Sequence, residues 1–307
     1  MTAETAQVLR TRRPRARTTS ARVRAVVLGL LGVISVAAIW ELYKALGPAD
    51  GVVVAGTRIL PRTTDLAMPH TWEMVARLLE PTTSQAGAAP LWQTVAGAAV
   101  ISLGIAAVGW FVGTVVGLGL GLLMQLLRPA EQGLLPWIVL SQTVPLIAFA
   151  PVVRSWGSRI EILGWQWPQW LSVAVIASYL AFFPVAIGML KGLQSPQRTH
   201  LELMHTYAAG RWATLRTVRL PAAVPYLLPA LRLGAASAVV GTVVAEVSTG
   251  YLDGIGRQLV SFAGQASGDP AKAWAPIFGA IALGLIAAGL VGLIGLMLRT
   301  YRRGEAQ

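Results

Sequence analysis

Few side chains in this sequence are of the types that make or break bonds. There is no cysteine, and the three histidines are His70, His200 and His205. His200 and His205 stand five apart, poor spacing for one helical face, and no His/Glu pairing suits a metal. None of the three lysines, Lys44, Lys191 and Lys272, follows a glycine-rich loop of the G-x-x-x-x-G-K kind, so the chain carries no phosphate-cradling ATPase loop. G-x-S-x-G, H-E-x-x-H and paired acids within apolar segments are absent too. No catalytic residue and no metal ligand is assigned. One acid does stand out. Glu246, in Val243-Val244-Ala245-Glu246-Val247, lies deep in an apolar run, where a carboxylate is costly unless it faces protein or water. It is a candidate for the substrate pathway or a gate, weighed evenly against a hydrogen bond to a neighbouring helix or loop.

The elements that hold such a residue are membrane spans. Of 307 residues 55% are apolar and only 12% charged, half the charge of a typical soluble domain. Apolar runs of about twenty residues, enough to cross ~30 Å of hydrocarbon, are expected at 25–46, 94–127, 134–153, 170–190, 226–247 and 275–298. This gives an all-α membrane protein with six transmembrane helices. Residues 1–24 form a basic arm with seven arginines, 47–91 an external segment containing a short helix over Thr71–Leu79, 92–298 the core, and 299–307 a basic tail. Trp40 and Tyr43 mark the outer end of the first span, and Glu41 beside them reaches the interface. The +12 net charge would suggest nucleic acid in a soluble chain. Beside a membrane span the basic arm is a topological or lipid-contacting segment instead, and no nucleic acid is expected.

Six spans put both termini on one side. With the N-terminus inside, the arm, Arg128, the loop between the fourth and fifth spans, and the tail hold sixteen Lys/Arg, against eight outside. The bias favours cytoplasmic termini in a bacterial plasma (inner) membrane.

Helix association has its own signals. Gly109, Gly113, Gly117 and Gly121 recur every four residues on one face, which lets another backbone come close. The plain reading is intrachain packing; the sharper one is a face that moves or lines the path. Gly289, Gly292 and Gly295 repeat every three residues in the last span, with the same packing reading. Pro145, Pro151, Pro184 and Pro229 each remove a backbone donor and kink their helices.

The segment 199–221 is the most informative. Thr199 is expected to cap a helix with Glu202 as its reciprocal partner. Gly210 is expected to end that helix in a left-handed turn. Trp212, Leu215 and Val218 form a second short stripe among Arg211, Arg216 and Arg219, which Pro221 is expected to stop. A helix–turn–helix hairpin with an apolar edge and a basic rim is a docking surface for a partner protein. The competing reading places it on anionic lipid headgroups.

This segment resembles the EAA loop of binding-protein-dependent ABC importer permeases: Glu-Ala-Ala, three residues, Gly, nine residues, Ile, any residue, Leu-Pro. Glu202 matches the Glu, Val218 stands for the Ile, and Leu220-Pro221 fall at the same spacing. Leu203 and Met204 replace the alanines, and Ala208 occupies the Gly position, so Gly210 two residues later is expected to re-register the turn. Gln142-Thr143-Val144-Pro145 with Ala150-Pro151, and Val244-Ala245-Glu246 with Gly254-Ile255-Gly256, are similar to the nitrate/sulfonate/taurine branch. The resemblance covers roughly residues 92–298. It implies a type I permease fold and a permease role, with substrate among small solutes such as a sulfonate, nitrate or a pyrimidine/vitamin precursor. It also implies three partners: a separate ABC ATPase that binds the ATP and Mg, a second permease subunit (same chain or paralogue), and an external solute-binding protein. No cofactor is expected in this chain. The docking residues carried over are Glu202, Met204, Tyr207, Ala208, Ala209, Gly210, Arg211, Trp212, Leu215, Leu220 and Pro221. The pathway or gate candidates are Glu246, Gln142, Thr143 and Pro145. An ion-gradient-driven secondary transporter is the alternative; it calls for more intramembrane acids and two repeated halves, and the sequence offers one deep acid and no clear repeat.

Overall fold

A computed structural model describes residues 19–54 and 56–297. Most of the expected basic arm and all of the basic tail lie outside the described residues. The chain divides into two compact units, Met1–Glu73 and Met74–Gln307.

In the first unit, α1 (Thr19–Leu46) presents exposed Leu, Ile and Val side chains through its middle turns, the composition of a helix whose solvent is lipid. Its last turns organise the chain that follows. Trp40 Nε1 donates to the Pro69 carbonyl at 3.0 Å, and Tyr43 Oη to Pro61 at 3.1 Å. Glu41 is more than an interfacial acid: Oε1 accepts from the Thr71 amide and hydroxyl (2.7 and 2.8 Å), and Oε2 lies 2.7 Å from His70 Nδ1. Between them, β1 (Val52–Val54) and β2 (Thr57–Leu60) form a small antiparallel hairpin, and α2 (Thr71–Ala76) begins as the unit ends.

The second unit is built on α3 (Leu91–Leu126), α6 (Gln169–Gln194) and α9 (Leu220–Thr249), which meet along small residues. Gly109, Gly113, Gly117 and Gly121 all face α6. A Cβ at Gly113 would lie 2.7 Å from Ala181 Cβ and 2.7 Å from the Ser178 carbonyl, and one at Gly121 would lie 2.6 Å from Met189 Cβ. The four-residue stripe therefore packs inside the chain, by the close backbone approach that substitutes for a hydrophobic drive in lipid. Gly192 against Ala223 and Gly241 against Ala177 repeat the device between α6 and α9. The three-residue glycine repeat of α11 (Ala275–Met297) does not form such a face: nothing lies within 4 Å of a Cβ at Gly289 or Gly292, and of the three only Gly295 meets neighbours, Arg232 and Leu228.

The stretch expected as one span at 134–153 is two helices. α4 (Arg128–Ser141) and α5 (Leu146–Gly157) meet at 102° across residues 142–145. Pro145 has no amide hydrogen to continue the ladder, and it biases Val144 away from helical geometry. Among the described residues, five helices are long and apolar enough to cross a membrane, and six spans result if the bent pair crosses as one. The remaining elements are a hairpin of β3 (Glu161–Ile162) and β4 (Trp165–Gln166), the short helices α7 (Arg198–Thr206) and α8 (Arg211–Thr214), and α10 (Ile255–Ala263). The fold is all-α at membrane depth.

Candidate functional site: a hairpin joined to a spanning helix

The hairpin forms where its sequence places it, with different local chemistry. α7 starts two residues early, at Arg198, with Gln197 rather than Thr199 in the cap position and no side-chain cap. Thr199 is inside the helix, so the expected capping box does not form. The helix ends in a Schellman motif centred on Ala208: the Ala209 amide donates to the Met204 carbonyl and the Ala208 amide to His205, both at 2.9 Å. Ala208 itself takes the left-handed φ of 51°. The turn is thus not re-registered. Ala208 holds the conformation that glycine adopts without steric cost. Gly210 instead caps α8, at φ −66° and ψ 163°, where its carbonyl accepts from the Thr214 amide at 3.0 Å.

Side chains divide between surface and core. Tyr207 is 75% exposed, Trp212 63% and Leu203 53%, and Glu202 and Arg211 are exposed beside them. Met204 and Ala209 are half-buried. Leu215, expected on the docking edge, is 3% exposed and packs with Met189, Leu193 and Ala223. It anchors the hairpin to the bundle and is unavailable to a partner. Arg219 Nη1 donates to the Leu193 carbonyl at 2.8 Å, a second tie to the end of α6.

Pro221 does not stop the second arm. A π-helical turn over Leu215–Arg219 links α8 to α9, with the Leu220 amide donating to the Leu215 carbonyl. The shift to five-residue bonding carries the ladder past Pro221, which sits in the first turn of α9. From Arg211 to Thr249 the chain is 39 residues of nearly continuous helix, on the order of 60 Å long.

Glu246 lies near its far end and is completely buried. Oε1 accepts from Ser102 Oγ on α3 at 2.7 Å, and Oε2 from the Gly256 amide at 2.8 Å. Ser102 Oγ in turn accepts from the Ile255 amide at 2.9 Å. The carboxylate and the serine thereby satisfy the first free amides of α10, at the helix end whose partial charge favours an anion. Gly254 leaves the room: a Cβ there would collide with the Glu246 carboxylate. Gln142, Thr143 and Pro145 are not part of this cluster. They form the exposed turn between α4 and α5, where Thr143 Oγ1 donates to Leu140 at 2.8 Å and Tyr179 Oη to the Ser141 carbonyl. Ser102 is the functional residue that sequence reasoning missed; a lone serine in an apolar helix gave no sign of its partner.

A membrane bundle with a projecting helical hairpin continuous with one span has the build of a transport permease subunit, not of an enzyme. The chain belongs to the family of the binding-protein-dependent transport system inner membrane component, which it matches over residues 113–300. It is 30% identical to the formylaminopyrimidine transport permease protein ThiX of Halalkalibacterium halodurans over 67% of this chain and 76% of that one. It is 33% identical to the riboflavin transport system permease protein RibX of Chloroflexus aurantiacus over 59% of this chain and 62% of that one. With the taurine transport system permease protein TauC of Escherichia coli the identity is 32%, over 48% of each chain. The matches thus span about three-fifths of RibX and half of TauC. The chain is a permease subunit of an ABC importer in the branch that serves small solutes, a class that works with an ATPase and a binding protein.

Proposed function

We propose that the ATPase subunit grips the exposed edge of the 199–221 hairpin and that the Arg211–Thr249 helix carries its ATP-driven movement to the Glu246 cluster. The observation that supports this most is the continuity of that helix. A hairpin joined to its span by a flexible loop would dissipate a displacement; one joined by unbroken helix, with Leu215 and Arg219 fixed to α6, turns as a lever. The grip uses Leu203, Tyr207 and Trp212, with Glu202 and Arg211 at the rim.

The substrate path runs beside residues 142–145. Irregular backbone at membrane depth is tolerated only against protein or water, and this turn is exposed in the single chain. A second permease subunit, the same chain or a paralogue, covers it across the path. The N-terminus, the hairpin and the C-terminus face the cytoplasm, in keeping with the excess of Lys/Arg on that side. An external binding protein delivers the solute. The substrate is a pyrimidine-type vitamin precursor, a reading supported by the ThiX likeness over two thirds of the chain.

Two experiments test these readings. Single cysteines at positions 65 and 205 are labelled in intact cells with a membrane-impermeant maleimide. Labelling at 65 alone is expected, and labelling at 205 overturns the topology and the ATPase grip together. Uptake of radiolabelled formylaminopyrimidine and taurine by cells expressing the whole transporter tests the substrate; import of taurine alone rejects the pyrimidine reading.

A further inference from the structure

The β-hairpin that joins α5 to α6 carries a residue its backbone does not suit. Glu161 pairs with Gln166 and Ile162 with Trp165, so Leu163 and Gly164 form a two-residue turn. Both are left-handed, at φ 54° and 82°, as a turn that follows the twist of its strands requires. Glycine and asparagine meet that requirement at little cost; a leucine does not. Leu163 gains no burial within the chain in return, for it is 103% exposed. Ile162 and Trp165 beside it are exposed as well. The turn is nevertheless held firmly. At its base the Trp167 amide donates to the Ile160 carbonyl at 3.2 Å, and Trp167 Nε1 donates to Ser172 Oγ at 2.9 Å. A Cβ at Gly157 would strike the Trp167 ring, and Trp165 stands edge-on to that ring with 6.1 Å between centroids. A strained, anchored, apolar tip that buries so little in its own chain is shaped for something outside it.

The place of the tip points to its partner. The β-hairpin leads into the Gln169 end of α6, whereas Leu193, at the other end, packs with Leu215 of the 199–221 hairpin. α6 is 26 residues, about 39 Å long, so the two hairpins stand at opposite ends of the bundle. α5 connects the tip to the 142–145 turn, beside which the substrate path runs. The family works with a binding protein, and a protein that hands solute to this path meets the tip at its mouth. We propose that Leu163 is the docking anchor for that solute-binding protein. Leu163 enters a pocket on the partner, Ile162 and Trp165 flank it, and the exposed Arg159, Glu161 and Gln166 form a polar rim. Because the turn is already formed, little freedom is lost on binding. The inference rests on delivery of solute by a binding protein, as proposed above. A lipid surface is the poorer match: it takes an apolar side chain in any backbone geometry, and Glu161, in the strand leading to the tip, opposes anionic headgroups.

The test uses the whole transporter in nanodiscs and the solute-binding protein of the same system, loaded with solute and titrated by fluorescence anisotropy. Leu163→Asn gives the turn a residue its geometry prefers and takes away the apolar tip. It is expected to melt at or above the wild-type temperature and to keep its ATPase. It should hold the binding protein roughly 10- to 100-fold more weakly, the fold-change that burial of one leucine contributes. Leu163→Met, which keeps an apolar tip, is expected to bind nearly as well as wild type. Because the chain has no cysteine, Ile162→Cys places a single thiol beside the tip. A membrane-impermeant maleimide is expected to label it in the free transporter and not at saturating binding protein. Equal affinity of wild type and Leu163→Asn overturns the inference and leaves delivery by a binding protein standing. Absence of labelling in the free transporter also overturns it, because lipid or the second permease subunit then covers the tip. So does a fall in melting temperature together with the loss of binding, which makes Leu163 a part of the fold. If the binding protein associates with neither form, the reading of solute delivery fails and the inference fails with it.

Discussion

Ser102 Oγ donates to Glu246 Oε1 at 2.7 Å across two helices that are 144 residues apart in sequence. With the Gly256 amide on the other oxygen, the pair fixes where α10 begins. Glu246→Ala leaves Ser102 and an amide buried without acceptor and is expected to destabilise the subunit by about 3 kcal/mol. Glu246→Gln keeps one acceptor and the shape, and is expected to cost about 1 kcal/mol. Thermal unfolding in detergent, followed by tryptophan fluorescence, measures both. If Glu246 also gates the path, Glu246→Gln reduces uptake at normal expression; unchanged uptake leaves it a structural residue.

The hairpin separates surface from core in adjacent turns. Trp212→Ala and Tyr207→Ala are expected to weaken ATPase association by ~2 kcal/mol or more, about 30-fold, as central aromatics at interfaces do. Subunit stability should not change, because both side chains are exposed. Leu215→Ala is expected to do the reverse and destabilise the fold by about 2–5 kcal/mol through the cavity it opens. Co-purification titrations and melting curves on the three variants distinguish the roles.

Ala208 is strained at φ 51°. Ala208→Gly relieves a left-handed penalty of ~1–2 kcal/mol but adds freedom to the unfolded chain. The expected net gain is about 0.5–1 kcal/mol, read as a rise in melting temperature with ATPase affinity retained. A drop in stability would mean that the methyl group makes contacts worth more than the strain.

Much of this architecture is legible in the sequence, for reasons specific to each part. Gly109 to Gly121 project on one face whatever surrounds them, so their use in packing follows from spacing. The hairpin's position follows from the interval between Glu202 and Leu220-Pro221. Its turn does not, because propensity assigns left-handed geometry to Gly210, whereas the hydrogen bonds that close α7 converge on Ala208. Pro221 reads as a stop because the five-residue bonding that bypasses it is a property of the folded chain. Leu215 looks like its neighbour Trp212 in sequence, and only the end of α6 turns it inward. The break at residues 142–145 was hidden by a continuous apolar run, although Pro145 carried the local signal.

The glycines predict a sharp contrast. Gly113→Val would drive a branched side chain into the Ala181 methyl and the Ser178 carbonyl, backbone that cannot yield, and is expected to abolish a folded subunit. Gly289→Ala and Gly292→Ala meet nothing within 4 Å and are expected to change stability by no more than ~0.5 kcal/mol. Monodispersity by fluorescence size-exclusion chromatography separates the cases. A defect in the two α11 variants alone would show that this face is covered by another subunit in the assembled transporter.

The segment that follows α1 carries a pH dependence of definite sign. Asp65 accepts a hydrogen bond from Lys44 Nζ at 2.6 Å, and that bond, with the lysine's charge, holds the Asp65 carboxyl below the usual carboxylate range. Lys44 is itself 6% exposed and also donates to the Met68 carbonyl at 2.5 Å. A carboxyl whose folded-state value is depressed binds its proton more readily when unfolded, so unfolding takes up protons and stability falls on acidification. The contribution is complete above the unfolded value of about 3.9 and is lost as pH falls through the lower folded value. Asp65→Asn is therefore expected to lower the melting temperature slightly at neutral pH. The difference from wild type should shrink below about pH 4 and vanish once Asp65 is protonated in both states. Paired melting curves at neutral and strongly acidic pH measure it; a gap of constant size at both would mean that shape, not charge, holds Asp65 to Lys44.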